Sequence, residues 1–280
     1  METIARVTSK AKDLAYRKHM NTSSREFILL YHTILIGVAP LIPIPFVDEW
    51  IVAYLWKHMI SEIAKRHGVK LSKAQITHLI NQKKSGCLTV FSSMIIRPIK
   101  ELFREIFFWL EWKRGIDLAT SSYYFGYLLD YIFEQGYFQP EFASKFELAI
   151  KKSMVGANTR LVREIISKTF YSSKGIVRTV SSWLFQFGKY YLKLATKTFA
   201  NKIKRIFVKF TNKKAPIELI KNDIELDDFF NETRPKINDL ILPMLDSLSS
   251  GIGNLPKEHF DRLKNNLTQE LNLSTSIKNG

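Results

Sequence analysis

Six histidines and one cysteine are the side chains of this 280-residue chain best suited to metal binding or nucleophilic chemistry. The histidines form no H-x-x-x-H pair, and Cys87 alone cannot build a cysteine-rich zinc site. No G-x-S-x-G motif identifies a nucleophile either. From the sequence we therefore assign no catalytic residue, no metal ligand and no cofactor. The histidines are His19, His32, His58, His67, His78 and His259.

One polar constellation has the spacing of an acid–base site. His58, Glu62 and Arg66 follow one another at i, i+4 and i+8, so a helix places them on one face. The same spacing is typical of a solvated helix face, which is the interpretation we favour. Asp117 and Asp130 are 13 positions apart. That is about 220° around a helix, so they cannot form a paired carboxylate site on one face.

The strongest functional signal is charge. Residues 151–214 hold 16 Lys and Arg but only one acid, Glu164, so nearly all of the chain's net charge of +16 lies there. A charge separated in this way is typical of a protein that binds a polyanion. The two candidate polyanions are an anionic membrane surface and a nucleic acid.

The end of the basic segment has the pattern of an amphipathic helix, with apolar residues at helical spacing from Phe199 to Phe210 and basic residues between them. That composition is typical of a helix that lies on a membrane surface. We predict that the segment binds anionic lipid. The residues concerned are Lys193, Lys197, Lys202, Lys204, Arg205, Lys209, Lys213 and Lys214.

Other interpretations of the basic segment stay open. Its apolar stripe could pack on the rest of the protein and leave only a solvated basic face. The acidic residues at 223–228 could fold back over it as a mask. Nucleic acid is the alternative partner, because phosphate contacts need only Lys and Arg. However, the chain has no C₂H₂ or RNP-type motif.

The elements that would position such a surface begin with an apolar helix. Phe27–Val47 contains no formally charged residue, but Pro40, Pro43 and Pro45 interrupt its last third. The helix before them, from about Arg25 to Val38, is roughly 20 Å long at 1.5 Å per residue. It is therefore too short to cross a hydrocarbon core of about 30 Å.

A second helix follows the prolines. Asp48 suits its N-cap, and Gly68 suits its C-cap. The resulting hairpin could dip into one leaflet or form the buried centre of a helical bundle, and we slightly favour membrane contact. The residues predicted to insert are Ile36, Leu41, Ile42, Ile44, Phe46 and Trp50, and those predicted to form the elbow are Pro40, Pro43, Pro45 and Asp48.

The sequence APLIPIPFVDEW, followed by HMISEIAKRHGVKLS, resembles the helical membrane-associated domain of unknown function that accompanies some bacterial dynamin- and Era-like GTPases. The resemblance rests on a Pro-x-Pro-x-x-Asp elbow and on a helix ending in Ile63, Ala64 and Gly68, and it covers roughly residues 30–72. Residues 98–131 are similar to uncharacterised bacterial proteins with the same elbow. The resemblance implies an α-helical fold and membrane proximity. By analogy alone, it also suggests a separately encoded GTPase or another protein as a partner. The chain itself has no G-x-x-x-x-G-K-[ST] motif.

Further helices are indicated by their end signals. Ser72 and Gln75 form a capping box. A helix that opens at Pro98 is predicted to end at Gly115, and the next, up to Gln135, carries Gly126 as a sign of close helix packing. In the C-terminal part, Pro216, Pro235 and Pro256 each fit the start of a short helix.

Together these patterns predict an all-α helical bundle in three parts: a core at 1–155 with the apolar hairpin, a basic amphipathic segment at 156–214 and a small acidic helical tail at 215–280. We expect a non-catalytic, structural or regulatory protein. It would be cytoplasmic and peripheral to the membrane, with shallow insertion of the hairpin. A nucleic-acid-binding protein is the first alternative. A helical enzyme or apolar-ligand binder without a recognisable motif is the second.

Overall fold

The computed structural model describes residues 24–42, 47–81, 104–138, 143–155, 158–209 and 218–276. Over these ranges the regular secondary structure is helical and no strand occurs, which confirms the all-α prediction. A 3₁₀ turn at Ala39–Leu41 follows the first helix. The helices are α1 (Ser24–Val38), α2 (Val47–Arg66), α3 (Lys73–Asn81), α4 (Arg104–Glu134), α5 (Ala143–Val155), α6 (Arg160–Ser172), α7 (Lys174–Lys209), α8 (Glu218–Gly253) and α9 (Lys257–Ser276).

Helix α1 lies at the centre of the bundle. Every residue from Leu29 to Val38 is buried, including the polar His32 and Thr33. The helix packs against α2, α4, α7 and α8. A helix that is apolar on all sides is a buried helix, so in this fold α1 contacts protein all around. Within the described ranges, no helix combines the length and the apolarity that crossing a bilayer requires.

Glycines set the contact between α1 and α4. A Cβ atom on Gly115 would lie 2.3 Å from the carbonyl oxygen of Gly37, and one on Gly126 would lie 2.6 Å from Cδ2 of Leu29. The close approach predicted at Gly126 is therefore confirmed. The prediction that Gly115 ends a helix is wrong, because α4 continues through it. Its missing side chain makes room for α1 instead.

The turn after α2 has the predicted C-cap. Gly68 has a positive φ of 68°, a conformation that costs glycine little. The Val69 N–H donates to the Ala64 carbonyl over 2.9 Å, which closes the end of the helix. The capping box before α3 is also confirmed. The Ser72 N–H donates to Oε1 of Gln75 over 2.7 Å, and the Gln75 N–H donates to Oγ of Ser72 over 3.3 Å.

Helix α8 continues through Pro235, so the prediction that this proline starts a helix is wrong. Phe230, Ile237 and Ile241 are buried on either side of it, and α8 packs against α1, α6 and α7. This packing holds the backbone helical despite the missing N–H donor. Pro256 does precede a helix, since α9 begins at Lys257.

Among the described residues, one hydrophobic core contains side chains from all three segments defined from the sequence. It contains Ile34 from residues 1–155, Phe187 from residues 156–214 and Leu248 from residues 215–280, and none of these side chains is more than 1 % exposed. The helices of the acidic tail thus pack on the same centre as the helices of the first half.

Candidate functional site

Most of the predicted insertion residues that the structure describes face the protein interior. Ile36 is fully buried and Ile42 is 5 % exposed. Leu41 is partly buried against the same core. In this conformation Ile36 and Ile42 are therefore not available to a membrane, because they pack between helices. Trp50 differs, since it is 43 % exposed and its ring lies 5.3 Å from that of Tyr191.

The elbow is partly described. Pro40 is buried in the 3₁₀ turn, and Ile42 has the extended backbone expected of a residue that precedes proline. Asp48 is not the N-cap, because α2 already begins at Val47. Its carboxylate accepts a hydrogen bond from Nη1 of Arg114 over 2.9 Å, and thus joins α2 to α4. Pro43, Ile44, Pro45 and Phe46 lie outside the described residues.

The basic segment includes α6 and α7. The exposed part of α7 carries Lys174, Arg178 and Lys189, which fall within about 60° of one another at 100° per residue. Nζ of Lys189 lies 4.4 Å from the ring centroid of Phe185, so this face presents aromatic and basic groups together. Lys193 is also exposed. The side chains of Lys197, Lys202, Lys204, Arg205 and Lys209, and all of Lys213 and Lys214, lie outside the description.

A cleft between α4 and α6 opens beside the start of α7. Its volume is about 540 Å³, and its walls include Trp109, Trp112 and Tyr171. Trp109 is 64 % exposed and Tyr171 is 36 % exposed, whereas Trp112 is buried beneath them. The rings of Trp109 and Tyr171 have centroids 6.2 Å apart, and Nζ of Lys174 lies 5.3 Å from the Tyr171 ring. We call this feature the aromatic cleft.

The charge around the aromatic cleft is positive. Its walls include the exposed Lys113 and Lys168, and Lys174 adjoins it. Arg163 and Glu164 are also wall residues, but each has a partner of opposite charge. Nε of Arg163 lies 2.7 Å from Oδ1 of Asp117, and Oε1 of Glu164 lies 2.6 Å from Nε of Arg160. The lysines therefore dominate the charge at the rim.

A second cluster forms where α1, α2 and α8 meet. Nε2 of His32 lies 3.1 Å from Nδ1 of His58. Oε2 of Glu62 lies 3.8 Å from Nδ1 of His58 and 3.9 Å from Nε2 of His32. Arg234 of α8 donates to both oxygens of the Glu62 carboxylate. We call these four side chains the histidine–glutamate cluster.

The ionisation of the cluster follows from its burial. Burial lowers the pKa of His32 to about 3 and also lowers the pKa of His58, because removal from water penalises a charged imidazole. Burial alone would raise the pKa of Glu62. The two imidazoles and the Arg234 hydrogen bond outweigh it, so the pKa of Glu62 is lowered. Near neutral pH the cluster therefore holds two neutral imidazoles and a carboxylate.

The sequence pattern found part of this cluster. His58 and Glu62 do share a face, but that face is turned towards α1 and α8 instead of water. Arg66 leaves the group and donates to Oδ1 of Asp130 over 2.9 Å. His32 and Arg234 were missed, because they lie 26 and 172 positions from their partners. The one sequence signal for the rest of the cluster was the presence of His32 in the uncharged run of α1.

Comparison with known proteins adds no relative. No family model matches the chain, and no curated protein or solved structure is significantly similar to it.

Proposed function

We propose that the protein binds an anionic membrane surface peripherally, through the aromatic cleft and the basic face of α7. The observation that carries this proposal is the exposure of Trp109 and Tyr171 among Lys113, Lys168 and Lys174. Tryptophan and tyrosine favour the depth of lipid headgroups, because their rings are partly apolar and partly polar. The lysines supply attraction to acidic headgroups.

The charges make this attachment strong enough to measure. A basic residue close to an anionic surface contributes on the order of 1 kcal/mol, an attraction that falls off within a Debye length. Lys113 and Lys168 are exposed in the cleft walls, Lys174 is exposed beside Tyr171, and Arg178 is exposed one turn further along α7. Their combined attraction depends on salt, whereas burial of the Trp109 ring does not. The proposal thus combines a salt-sensitive and a salt-resistant contribution.

This surface replaces the apolar hairpin as the region of insertion. Ile36 and Ile42 are used in the protein core, whereas the cleft offers its aromatic side chains without any rearrangement. The cytoplasmic leaflet, which is rich in acidic lipid, is the membrane face that fits the charge. A GTPase partner remains a prediction from the sequence resemblance alone.

Liposome flotation tests the proposal. The full chain should float with vesicles of phosphatidylcholine and phosphatidylserine, and the floated fraction should rise with phosphatidylserine content. The double variant Lys168→Glu, Lys174→Glu should lose most of this binding at low salt. The control variant Lys236→Glu, Lys257→Glu makes the same change in net charge at exposed positions on α8 and α9, and it should float like the wild type.

Two outcomes would reject the proposal. One is flotation that does not depend on acidic lipid. The other is an equal loss of flotation in both double variants, which would mean that net charge alone matters. Tight binding to oligonucleotides with a steep salt dependence, together with little flotation, would favour the nucleic-acid alternative instead.

A further inference from the structure

The histidine–glutamate cluster has the geometry of a metal site. The circle through Nε2 of His32, Nδ1 of His58 and Oε2 of Glu62 has a radius of about 2.1 Å, as the three separations of 3.1, 3.8 and 3.9 Å require. Zinc is bound at about 2.0–2.1 Å by histidine nitrogen and at about 2.0–2.2 Å by carboxylate oxygen. One cation can therefore reach all three atoms without any movement of the backbone.

The longer separations are the informative ones. Oε2 of Glu62 lies 3.8 and 3.9 Å from the two imidazole nitrogens, which is too far for a hydrogen bond. The carboxylate takes its hydrogen bonds from Arg234 instead, and the two imidazoles pair with each other over 3.1 Å. Separations of about 3 to 4 Å are also those of two ligand atoms that share one cation.

Neighbouring groups hold the three donors in position. Nδ1 of His32 lies 2.8 Å from the carbonyl oxygen of Ile28, and donation to this oxygen places the lone pair on Nε2, the atom that faces His58. Metal-bound histidines are typically oriented by such a bond. Arg234 donates to both oxygens of the Glu62 carboxylate and thereby fixes its orientation. Oε2 also faces the imidazoles, and a carboxylate oxygen has a second lone pair for a cation. His58 and Glu62 lie one turn apart on α2.

We infer that His32, His58 and Glu62 bind a divalent transition-metal cation of the zinc type. Two imidazoles and one carboxylate suit zinc, cobalt or iron, whereas magnesium and calcium prefer oxygen ligands. His32 is fully buried, but the side chains of His58 and Glu62 are 15 % and 18 % exposed, so the cation can enter from their side. This inference is independent of membrane binding.

Metal titration of the untagged, chelator-treated full chain is the test. Zn²⁺ followed by calorimetry at pH 7.5 should bind one equivalent per chain. Co²⁺ should give the visible absorption of a low-symmetry site, and Zn²⁺ should remove it. Excess Mg²⁺ should not compete. The variants His58→Ala and Glu62→Gln should each weaken Zn²⁺ binding by more than about 100-fold, because each removes a direct ligand and loss of an outer partner alone costs about 10–100-fold.

Two further variants separate a metal site from a structural network. His259 lies outside the cluster, with Nε2 2.8 Å from the Tyr124 hydroxyl, so His259→Gln should bind Zn²⁺ like the wild type. Arg234→Gln removes a donor that orients the Glu62 carboxylate. It should weaken Zn²⁺ binding about tenfold, a smaller loss than that of the direct-ligand variants. A purely structural cluster would show no such graded loss.

The inference is overturned if the wild-type chain binds no stoichiometric Zn²⁺. It is also overturned if His58→Ala and Glu62→Gln keep the wild-type circular dichroism spectrum and bind Zn²⁺ as the wild type does. Circular dichroism of each variant identifies a loss of folding. If one variant unfolds, the other decides the result.

Discussion

Asp130 lies near the end of α4 and is 1 % exposed. Its carboxylate lies 2.7 Å from Nε of Arg25, 2.9 Å from Nη1 of Arg66 and 2.8 Å from Nε2 of His67. Residues of α1, of α2 and of the turn after α2 therefore meet at one acid. A buried charge is tolerated because its partners replace the water that it loses. Removal of the carboxylate therefore leaves the basic side chains without their counter-ion.

We expect Asp130→Asn to lower the free energy of unfolding by about 3 kcal/mol or more, because Arg25 and Arg66 would lose their common counter-ion. Urea unfolding, followed by circular dichroism, measures the change. Asp117→Asn is the matched control. Its ion pair with Arg163 is about half exposed, and such a surface pair contributes at most about 1 kcal/mol. Equal effects of the two substitutions would contradict the structural role of Asp130.

Only two members of the histidine–glutamate cluster could be recognised from the sequence. His58 and Glu62 were visible as a pair because α2 brings them together locally. His32 and Arg234 enter through helix packing, which the spacing of residues within one helix does not encode. The same holds for Trp109 and Tyr171, which come from different helices and meet only at the α4–α6 contact.

At the scale of elements, the contact between α1 and α4 depends on residues without side chains. A methyl group on Gly115 would collide with a backbone carbonyl of α1, which cannot rotate away as a side chain can. The two helices would have to separate. Gly175 offers a comparison, because a methyl group there meets nothing within 4 Å.

We therefore expect Gly115→Ala to destabilise the protein by about 1–3 kcal/mol, as overpacking of a tight contact does. Gly175→Ala should leave stability unchanged or raise it by up to about 1 kcal/mol, because alanine favours a helix. Thermal unfolding of both variants measures the difference. Similar melting temperatures would show that α1 and α4 do not cross closely at Gly115.

This contact explains why the prediction that Gly115 ends a helix was wrong. A glycine that ends a helix and a glycine that admits a neighbouring helix look alike in one sequence. At Gly68 the end-of-helix interpretation is right, because polar and basic residues surround it and its φ is positive. At Gly115 the contact interpretation is right. Pro235 is a similar case, since packing of buried residues on either side overrides the local signal.

At the scale of the whole molecule, the all-α fold and the first hairpin were predictable, because uncharged runs, prolines and capping residues act locally. Whether the hairpin lies inside the bundle or in a membrane was not predictable. Its lack of charge fits a buried helix and a membrane-inserted helix equally well, and only the packing of α2, α4, α7 and α8 around α1 distinguishes them. The charge of residues 151–214 indicates a polyanion but not which exposed aromatic residues accompany it.

Fluorescence quenching by brominated lipid is the most direct measurement of the proposed membrane contact. If the exposed Trp109 ring enters the headgroup region as proposed, vesicles of phosphatidylserine and acyl-chain-brominated phosphatidylcholine should quench the tryptophan fluorescence of the wild type. Trp109→Phe should lose most of this quenching. Trp183→Phe should keep it, since Trp183 packs against Phe187 and Phe230 within the protein. Quenching that survives in Trp109→Phe but disappears in Trp50→Phe would place the membrane at the hairpin and contradict the proposed surface.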